Sequence, residues 1–137
     1  ELGSGSGYGA ALASAVVGPQ GHVTTVEIDP HLARRAATLL ARIAANVTVI
    51  EDDGLARPEL LASADRCSVT FAVSALAPEF LAHLTIGASL VAPVCFADQQ
   101  RLLLFRKSQF GLATEDLGAV RFVASRSRQD LVLERPT

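Results

Sequence analysis

The feature that most constrains this chain is the glycine-rich segment at its start, which reads Glu1-Leu2-Gly3-Ser4-Gly5-Ser6-Gly7-Tyr8-Gly9. Glycine at alternate positions lets the backbone adopt positive φ and approach a bound molecule without an intervening Cβ. The small, apolar stretch 10–17 follows and predicts a helix. The free N–H groups at the start of such a helix favour a carboxylate or a phosphate. The segment therefore predicts a ligand-binding loop, with a surface turn that binds nothing as the alternative.

Strand-like and helix-like stretches alternate through the first hundred residues. Patterns typical of strands cover 22–28, 47–50, 66–73 and 89–96, and helical patterns cover 10–17, 30–45, 55–63 and 76–84. Two more strand-like stretches, 102–106 and 119–123, follow with predicted turns at Phe110-Gly111 and Gly118 and no helix between them. The alternation predicts an α/β fold, a Rossmann-like doubly wound and mostly parallel sheet with an antiparallel C-terminal edge.

The strand that should precede the glycine loop is largely missing, because only Glu1 and Leu2 stand before Gly3. The chain also contains no methionine. We therefore expect it to be a fragment of a longer protein, with little activity as an isolated fragment.

Composition narrows the class of protein. Half of the 137 residues are hydrophobic, 19% are charged and the net charge is −2, so we expect a folded domain without a nucleic-acid or membrane partner. Cys67 and Cys95 do not form a disulfide framework, which favours a cytoplasmic protein. The three histidines, His22, His31 and His83, lack the spacing of metal ligands, so we expect no metal site.

Two acidic positions raise the odds that the loop binds a ligand. Glu27 closes the strand after the loop, where a carboxylate can accept both hydrogen bonds of a ribose diol; the alternative is an ordinary exposed carboxylate. Asp52-Asp53-Gly54 closes the next strand, where a carboxylate could accept a hydrogen bond from the amine of adenine or simply cap a turn. Together these positions predict an adenosine-containing ligand.

The loop fits two such ligands. Gly5-x-Gly7-x-x-Ala10 satisfies the dinucleotide fingerprint, which leaves an NAD-dependent oxidoreductase as an alternative. Gly3-x-Gly5-x-Gly7 after Glu1 instead suits S-adenosylmethionine, and a carboxylate at residue 1 would repel a pyrophosphate. Electrostatics thus favours the zwitterionic cofactor, and a non-catalytic remnant that retains an adenosine site is the third alternative.

Several motifs come in the order of a known family. They are Glu-Leu-Gly-Ser-Gly-Ser-Gly-Tyr (1–8), Val-Glu-Ile-Asp (26–29), Asp-Asp-Gly (52–54), Gln-Gln-Arg-Leu-Leu-Leu (99–104) and Asp-Leu-Gly-Ala-Val-Arg-Phe-Val (116–123). The chain resembles the protein-L-isoaspartate O-methyltransferases, which are class I S-adenosylmethionine-dependent enzymes. The last two motifs are the more specific to that family. The likeness extends to about Ser125 and implies a methyltransferase domain over 1–125, followed by a C-terminal tail over 126–137.

The resemblance implies transfer of a methyl group from S-adenosylmethionine to the carboxylate of isoaspartyl residues in damaged proteins or peptides. It implies cofactor contacts from Glu1, Gly3, Gly5, Gly7 and Tyr8, ribose contacts from Glu27, adenine-side contacts from Asp53 and Gly54, and a place near the sulfonium for Thr70. The family carries its catalytic hydroxyl upstream of the glycine loop, so no catalytic residue is assigned within this chain. Phe71-Ala72-Val73-Ser74 replaces the small Ala-Ala-Pro run of the family and could narrow the acceptor pocket.

Overall fold

The computed structural model describes residues 1–132, which form two compact units, one over Glu1–Gly54 and one that begins at Leu55. The final part of the predicted tail, 133–137, lies outside the described residues. The first unit contains the glycine loop and the second contains the antiparallel strands. Each unit is built around its own sheet.

The first unit alternates helix and strand as predicted. Its elements are α1 (Tyr8–Val17), β1 (Val23–Glu27), α2 (Pro30–Ile43) and β2 (Val47–Glu51). The two strands run parallel, and Glu27 lies opposite Glu51 at their carboxyl ends. The opening segment also pairs with β1, because Leu2 forms a parallel bridge with Val26. β1 is therefore bonded on one side to residues 1–3 and on the other to β2.

Helix α2 begins where the sequence predicts. The Asp29 carboxylate accepts hydrogen bonds from the N–H groups of His31 and Leu32 at 2.9 and 3.2 Å, and Pro30 occupies the first helical position. The buried face of α2 packs with α1 and the strands in a small apolar core of Ala10, Val23, Ala36, Leu40 and Ala44. The helix thus supports the glycine loop and the start of α1 from one side.

The second unit contains a four-stranded sheet in the order β3-β4-β5-β6. Its strands and helices are β3 (Arg66–Ser68), α3 (Pro78–Leu81), β4 (Ser89–Phe96), β5 (Gln99–Ser108), β6 (Gly111–Val120) and α4 (Arg128–Val132). Two short 3₁₀ helices, Gly54–Ala56 and Pro58–Ser63, replace the predicted helical stretch 55–63. β3 is parallel to β4, whereas β4, β5 and β6 are antiparallel, which confirms the predicted antiparallel edge.

The predicted strand 66–73 is interrupted after Val69, whose N–H still donates to the Val91 carbonyl at 2.8 Å. The N–H groups of Ser89 and Cys95 in β4 both point toward this segment. Backbone N–H groups at alternate residues of a strand point the same way, so residue 93 faces the segment as well. Pro93, however, has no N–H to donate. The ladder resumes only at Ala72 and Val73, which form isolated bridges with Ala124 and Val94. Thr70 lies in the interruption.

The prediction of a turn at Gly118 is wrong, because β6 continues through it. Gly118 has φ +116° at the point where the register changes, with Arg101 opposite Ala119 but Leu103 opposite Asp116. Two residues on β6 thus face one on β5, which is a β-bulge that a glycine with positive φ accommodates. Its N–H donates to Asp116 Oδ1 at 2.8 Å.

Two helices also differ from their predictions. The predicted helix 76–84 shrinks to α3 (Pro78–Leu81), because the residue before a proline avoids the helical region and Ala77 is extended with ψ 138°. Helix α4 forms within the predicted tail, and its Asp130 carboxylate accepts the N–H of Ser74 at 2.7 Å.

Candidate functional site

The glycine loop lies at the carboxyl end of β1 and is bonded to it. The N–H groups of Gly3 and Ser4 donate to the Val26 carbonyl at 2.7 and 3.2 Å. Gly3, Gly5 and Gly7 have φ values of 98°, 52° and 86°. Glycine adopts such positive φ values readily, whereas other residues adopt them at a cost in free energy. The predicted loop conformation, with glycines at positive φ, is therefore confirmed.

The glycines differ in what surrounds them. A Cβ on Gly5 would meet no atom of the chain within 4 Å, so this side of the loop is open. A Cβ on Gly7 would lie 3.3 Å from Leu40 Cδ1, and one on Gly9 would collide with the Glu1 carboxylate. Gly7 and Gly9 therefore allow close packing inside the unit, whereas Gly5 leaves room for a ligand.

The Glu1 carboxylate lies against the first turn of α1 and is bonded from β1. Thr25 Oγ1 donates to Glu1 Oε1 at 2.6 Å, and Ser4 Oγ lies 2.6 Å from Thr25 Oγ1. Burial raises the pKa of the Glu1 carboxyl and nearby Glu27 adds to this effect, while the Thr25 hydroxyl opposes it. Glu1 is thus a carboxylate that would gain from a cationic partner.

The Glu27 carboxylate is buried, with 6% of the residue exposed, so the alternative of an ordinary exposed carboxylate is wrong. Its Oε2 accepts the N–H of Gly5 at 2.8 Å and its Oε1 accepts the N–H of Asp29 at 3.0 Å. Glu27 therefore fixes the open part of the glycine loop to the end of β1. A carboxylate has about four acceptor positions, so a ribose diol could still bind here, which stays a prediction.

The Asp52-Asp53-Gly54 motif forms the turn after β2. The Asp52 N–H donates to the Glu27 carbonyl at 3.0 Å, and its side chain accepts the N–H of Asp53 at 2.8 Å. Gly54 is buried, and a Cβ there would come within 2.8 Å of Leu2 Cδ2. Gly54 thus serves close packing in this structure, and the adenine-side contacts of Asp53 and Gly54 stay predictions.

Tyr8 and Thr70 complete the predicted set. Tyr8 is the first residue of α1 and is 69% exposed beside the loop. Thr70 belongs to the second unit and is half-buried. All the other predicted residues meet at the carboxyl ends of residues 1–3, β1 and β2. Three further residues of the site, Ser4, Gly9 and Thr25, were not predicted from the sequence, and only Gly9 carries a signal there, as part of the glycine alternation.

Residues 1–132 contain no group of three or more His, Cys, Asp or Glu side chains that could hold a metal ion. Cys67 and Cys95 have no disulfide partner, and burial raises the pKa of the Cys67 thiol. No helix in the part of the chain that the structure describes is long and apolar enough to cross a membrane.

Comparison with known proteins decides the family. The model of the family "Protein-L-isoaspartate(D-aspartate) O-methyltransferase (PCMT)" matches residues 1–130. The chain belongs to the protein-L-isoaspartate O-methyltransferase family. A protein-L-isoaspartate O-methyltransferase of Methanococcus aeolicus is 36% identical over 124 residues, which cover 90% of this chain and 57% of the relative. This membership gives no support to the NAD-dependent oxidoreductase alternative.

Solved structures of the family show the same fold. One protein-L-isoaspartate O-methyltransferase matches with a TM-score of 0.86 and 28% identity, over 97% of this chain and 43% of the other. A second, described as putative and from Plasmodium falciparum, was solved in complex with S-adenosyl-L-homocysteine; it matches with a TM-score of 0.73 over 90% of this chain and 62% of the other, and at 21% identity is a likeness in fold. These matches confirm the Rossmann-like fold. The chain spans about half the length of the curated relatives that it matches, for example 57%, 45% and 62% of three of them.

Proposed function

We propose that this chain is the S-adenosylmethionine-binding part of a methyltransferase that acts on the carboxylate of isoaspartyl residues in damaged proteins or peptides. The observation that carries the proposal is the buried Glu27 carboxylate, which accepts a hydrogen bond from the N–H of Gly5 at 2.8 Å. The Gly5 side of the loop has no other protein atom against it and leaves room for a ligand. Family membership supports the reaction class. The S-adenosyl-L-homocysteine complex of the Plasmodium falciparum neighbour supports the choice of cofactor.

The charges around the loop fit a zwitterionic ligand. Glu1 and Glu27 are close enough for the charge of Glu27 to raise the pKa of Glu1. Two neighbouring carboxylates repel a pyrophosphate but attract an ammonium group, and the N-terminus of α1 suits the carboxylate of the same amino acid. We assign the ammonium group of the cofactor to Glu1, its ribose to Glu27 and its adenine side to Asp53 and Gly54. The loop beside the cofactor is formed by Gly3, Gly5, Gly7 and Tyr8.

The chain's own contribution to the reaction is binding and alignment. When bound, S-adenosylmethionine would supply an activated methyl group to an acceptor carboxylate, which is already anionic at neutral pH and needs no general base. The rigid loop fixes the position of the ligand, and well-oriented reactants gain roughly 7–11 kcal/mol in this way. This explains how methyl transfer is compatible with a site in which we assign no acid–base pair.

The acceptor side of the proposal rests on the segment after β3. There the N–H groups of Ala72 and Val73 donate to the carbonyls of Val123 and Pro93 at 2.7 and 3.0 Å, which fixes this segment between β4 and the stretch that follows β6. The family resemblance supports a role for Thr70 near the sulfonium and for residues 71–74 in the acceptor pocket. We further propose a cytoplasmic location, no nucleic-acid or membrane partner, and a methyltransferase domain over 1–125.

Thermal-shift measurements test the cofactor. S-adenosylhomocysteine and S-adenosylmethionine should each raise the melting temperature, and NAD at the same concentration should not. Equal stabilisation by NAD, or none by the two adenosyl ligands, would contradict the proposal.

The acceptor requires a separate measurement. Labelled methyl transfer to an isoaspartyl peptide is compared with transfer to the same peptide with an aspartyl residue. The proposal predicts a rate ratio far above one, whereas equal labelling of the two peptides would exclude isoaspartyl specificity.

A further inference from the structure

Thr25 is a polar residue in the most buried strand of the first unit. It lies in the middle of β1, is 0% exposed and shares a face of the strand with Val23 and Glu27. A hydroxyl in such a place costs free energy unless it is hydrogen-bonded. A valine would fill a similar volume without that requirement, so the hydroxyl calls for an explanation beyond packing.

The hydroxyl of Thr25 joins two parts of the candidate site. It donates to Glu1 Oε1 at 2.6 Å, and because it has a single proton, the 2.6 Å contact with Ser4 Oγ requires Ser4 to donate to Thr25. The result is a directed chain from the Ser4 hydroxyl through Thr25 to the carboxylate. Each donor in such a chain strengthens the next hydrogen bond.

The two oxygens of the Glu1 carboxylate lie against different elements of the first unit. One carboxylate oxygen is held by β1, and the other lies at Gly9, in the first turn of α1. Without the Thr25 hydroxyl the carboxylate would lose the donor that fixes Oε1 and stabilises its charge. The loop residue Ser4 would lose its acceptor in β1 at the same time.

We propose that Thr25 is a positioning residue, which fixes the Glu1 carboxylate in the orientation that receives the ammonium group of the cofactor. The inference rests on the proposed function. In this proposal Thr25 does not touch the ligand. It affects the binding of the amino-acid part of the cofactor, whereas the binding of the adenosine part depends on other residues.

The test uses two ligands that differ in that part. S-adenosylhomocysteine carries the amino acid, whereas 5′-methylthioadenosine has the adenosine and the sulfur atom without it. Thr25→Val should weaken S-adenosylhomocysteine about tenfold, the scale of a lost charge-assisted hydrogen bond, and leave 5′-methylthioadenosine within about twofold. Thr25→Ser retains the hydroxyl and should bind both ligands as the wild type does. Thr24→Val is the matched control, because Thr24 is on the other face of β1.

Calorimetry distinguishes the outcomes. Equal weakening of both ligands by Thr25→Val, or of neither, would overturn the positioning role while the proposed function stands. A wild type that binds neither ligand would overturn the proposed function and this inference with it. If Thr25→Val does not fold, Ser4→Ala reports on the same chain and should weaken S-adenosylhomocysteine by about two- to fivefold without affecting 5′-methylthioadenosine; an equal loss for both ligands would again contradict the inference.

Discussion

At the scale of single residues, the account depends on which glycines face the ligand and which face the protein. Gly5 has φ +52° and an open side, whereas Gly7 has φ +86° and packs on Leu40. Positive φ penalises any side chain at either position by roughly 1–2 kcal/mol. Only at Gly7 does a side chain also meet the core.

Gly5→Val and Gly7→Val should therefore differ in effect. The first should abolish S-adenosylhomocysteine binding with a small loss of stability, because its side chain fills the open space beside the loop. The second should lower the melting temperature more strongly, since it displaces Leu40 as well. Thermal unfolding with and without ligand checks both, and stabilisation of Gly5→Val by S-adenosylhomocysteine as large as that of the wild type would show that the loop is only a turn.

Ser4 also has a structural role in the loop. Its hydroxyl is buried and lies 2.6 Å from Thr25 Oγ1. Ser4→Ala leaves the Thr25 oxygen without its donor, so it should cost about 1 kcal/mol of folding free energy. Urea unfolding measures this cost, with Ser6→Ala as the exposed control.

The protonation of Glu1 predicts a pH dependence of binding. Burial and the charge of Glu27 raise the pKa of Glu1, against the Thr25 hydroxyl, and an ammonium ligand needs the ionised form. Affinity for S-adenosylhomocysteine should fall as the pH is lowered from about 8 to about 5, while that for 5′-methylthioadenosine should not. The folding stability of the ligand-free protein changes with pH in the opposite direction. A raised pKa of Glu1 contributes stability at low pH, and this stability is lost as the pH rises through that pKa. A parallel pH profile for the two ligands in calorimetry would remove Glu1 from the ammonium site.

At the scale of elements, local rules explain what the sequence could predict. The start of α2 follows from Asp29-Pro30, and the glycine loop follows from positive φ, because both depend on neighbours in the chain. The break after β3 was not predictable in this way. It depends on Pro93 facing that strand, which is known only once the register with β4 is known. Thr25 was missed for a related reason, since threonine is an ordinary residue of strands.

Helix α4 provides a prediction at this scale. Asp130 is 7% exposed and accepts the N–H of Ser74 at 2.7 Å, so it connects α4 to the segment after β3. Asp130→Ala should lower the free energy of unfolding by about 1–3 kcal/mol, because it removes the acceptor of a part-buried N–H. Asp130→Asn retains an acceptor and should lose less, and the exposed Gln129→Ala is the control in a urea titration. A loss for Gln129→Ala as large as for Asp130→Ala would contradict the role of this contact.

At the scale of the whole molecule, the family match covers residues 1–130 and so includes parts of both units. The predicted site is weighted toward the first unit, where Glu1, Glu27 and the glycine loop meet. Family resemblance added what spacing alone left open, namely the choice between S-adenosylmethionine and a dinucleotide. The structure adds the buried Glu27 carboxylate, which accepts the N–H of Gly5 on the open side of the loop.

Calorimetric titration with S-adenosylhomocysteine of the wild type, Glu27→Ala and Glu51→Ala tests whether the buried Glu27 carboxylate belongs to the cofactor site. Glu51 is the partner of Glu27 in the sheet register, but it is exposed and lies 3.7 Å from Arg34, so it is a matched control. The account predicts a loss of about 1.5–3 kcal/mol for Glu27→Ala, a smaller loss for Glu27→Gln and no change for Glu51→Ala. Unchanged affinity in a folded Glu27→Ala variant would contradict the account, because it would remove the buried carboxylate from the site.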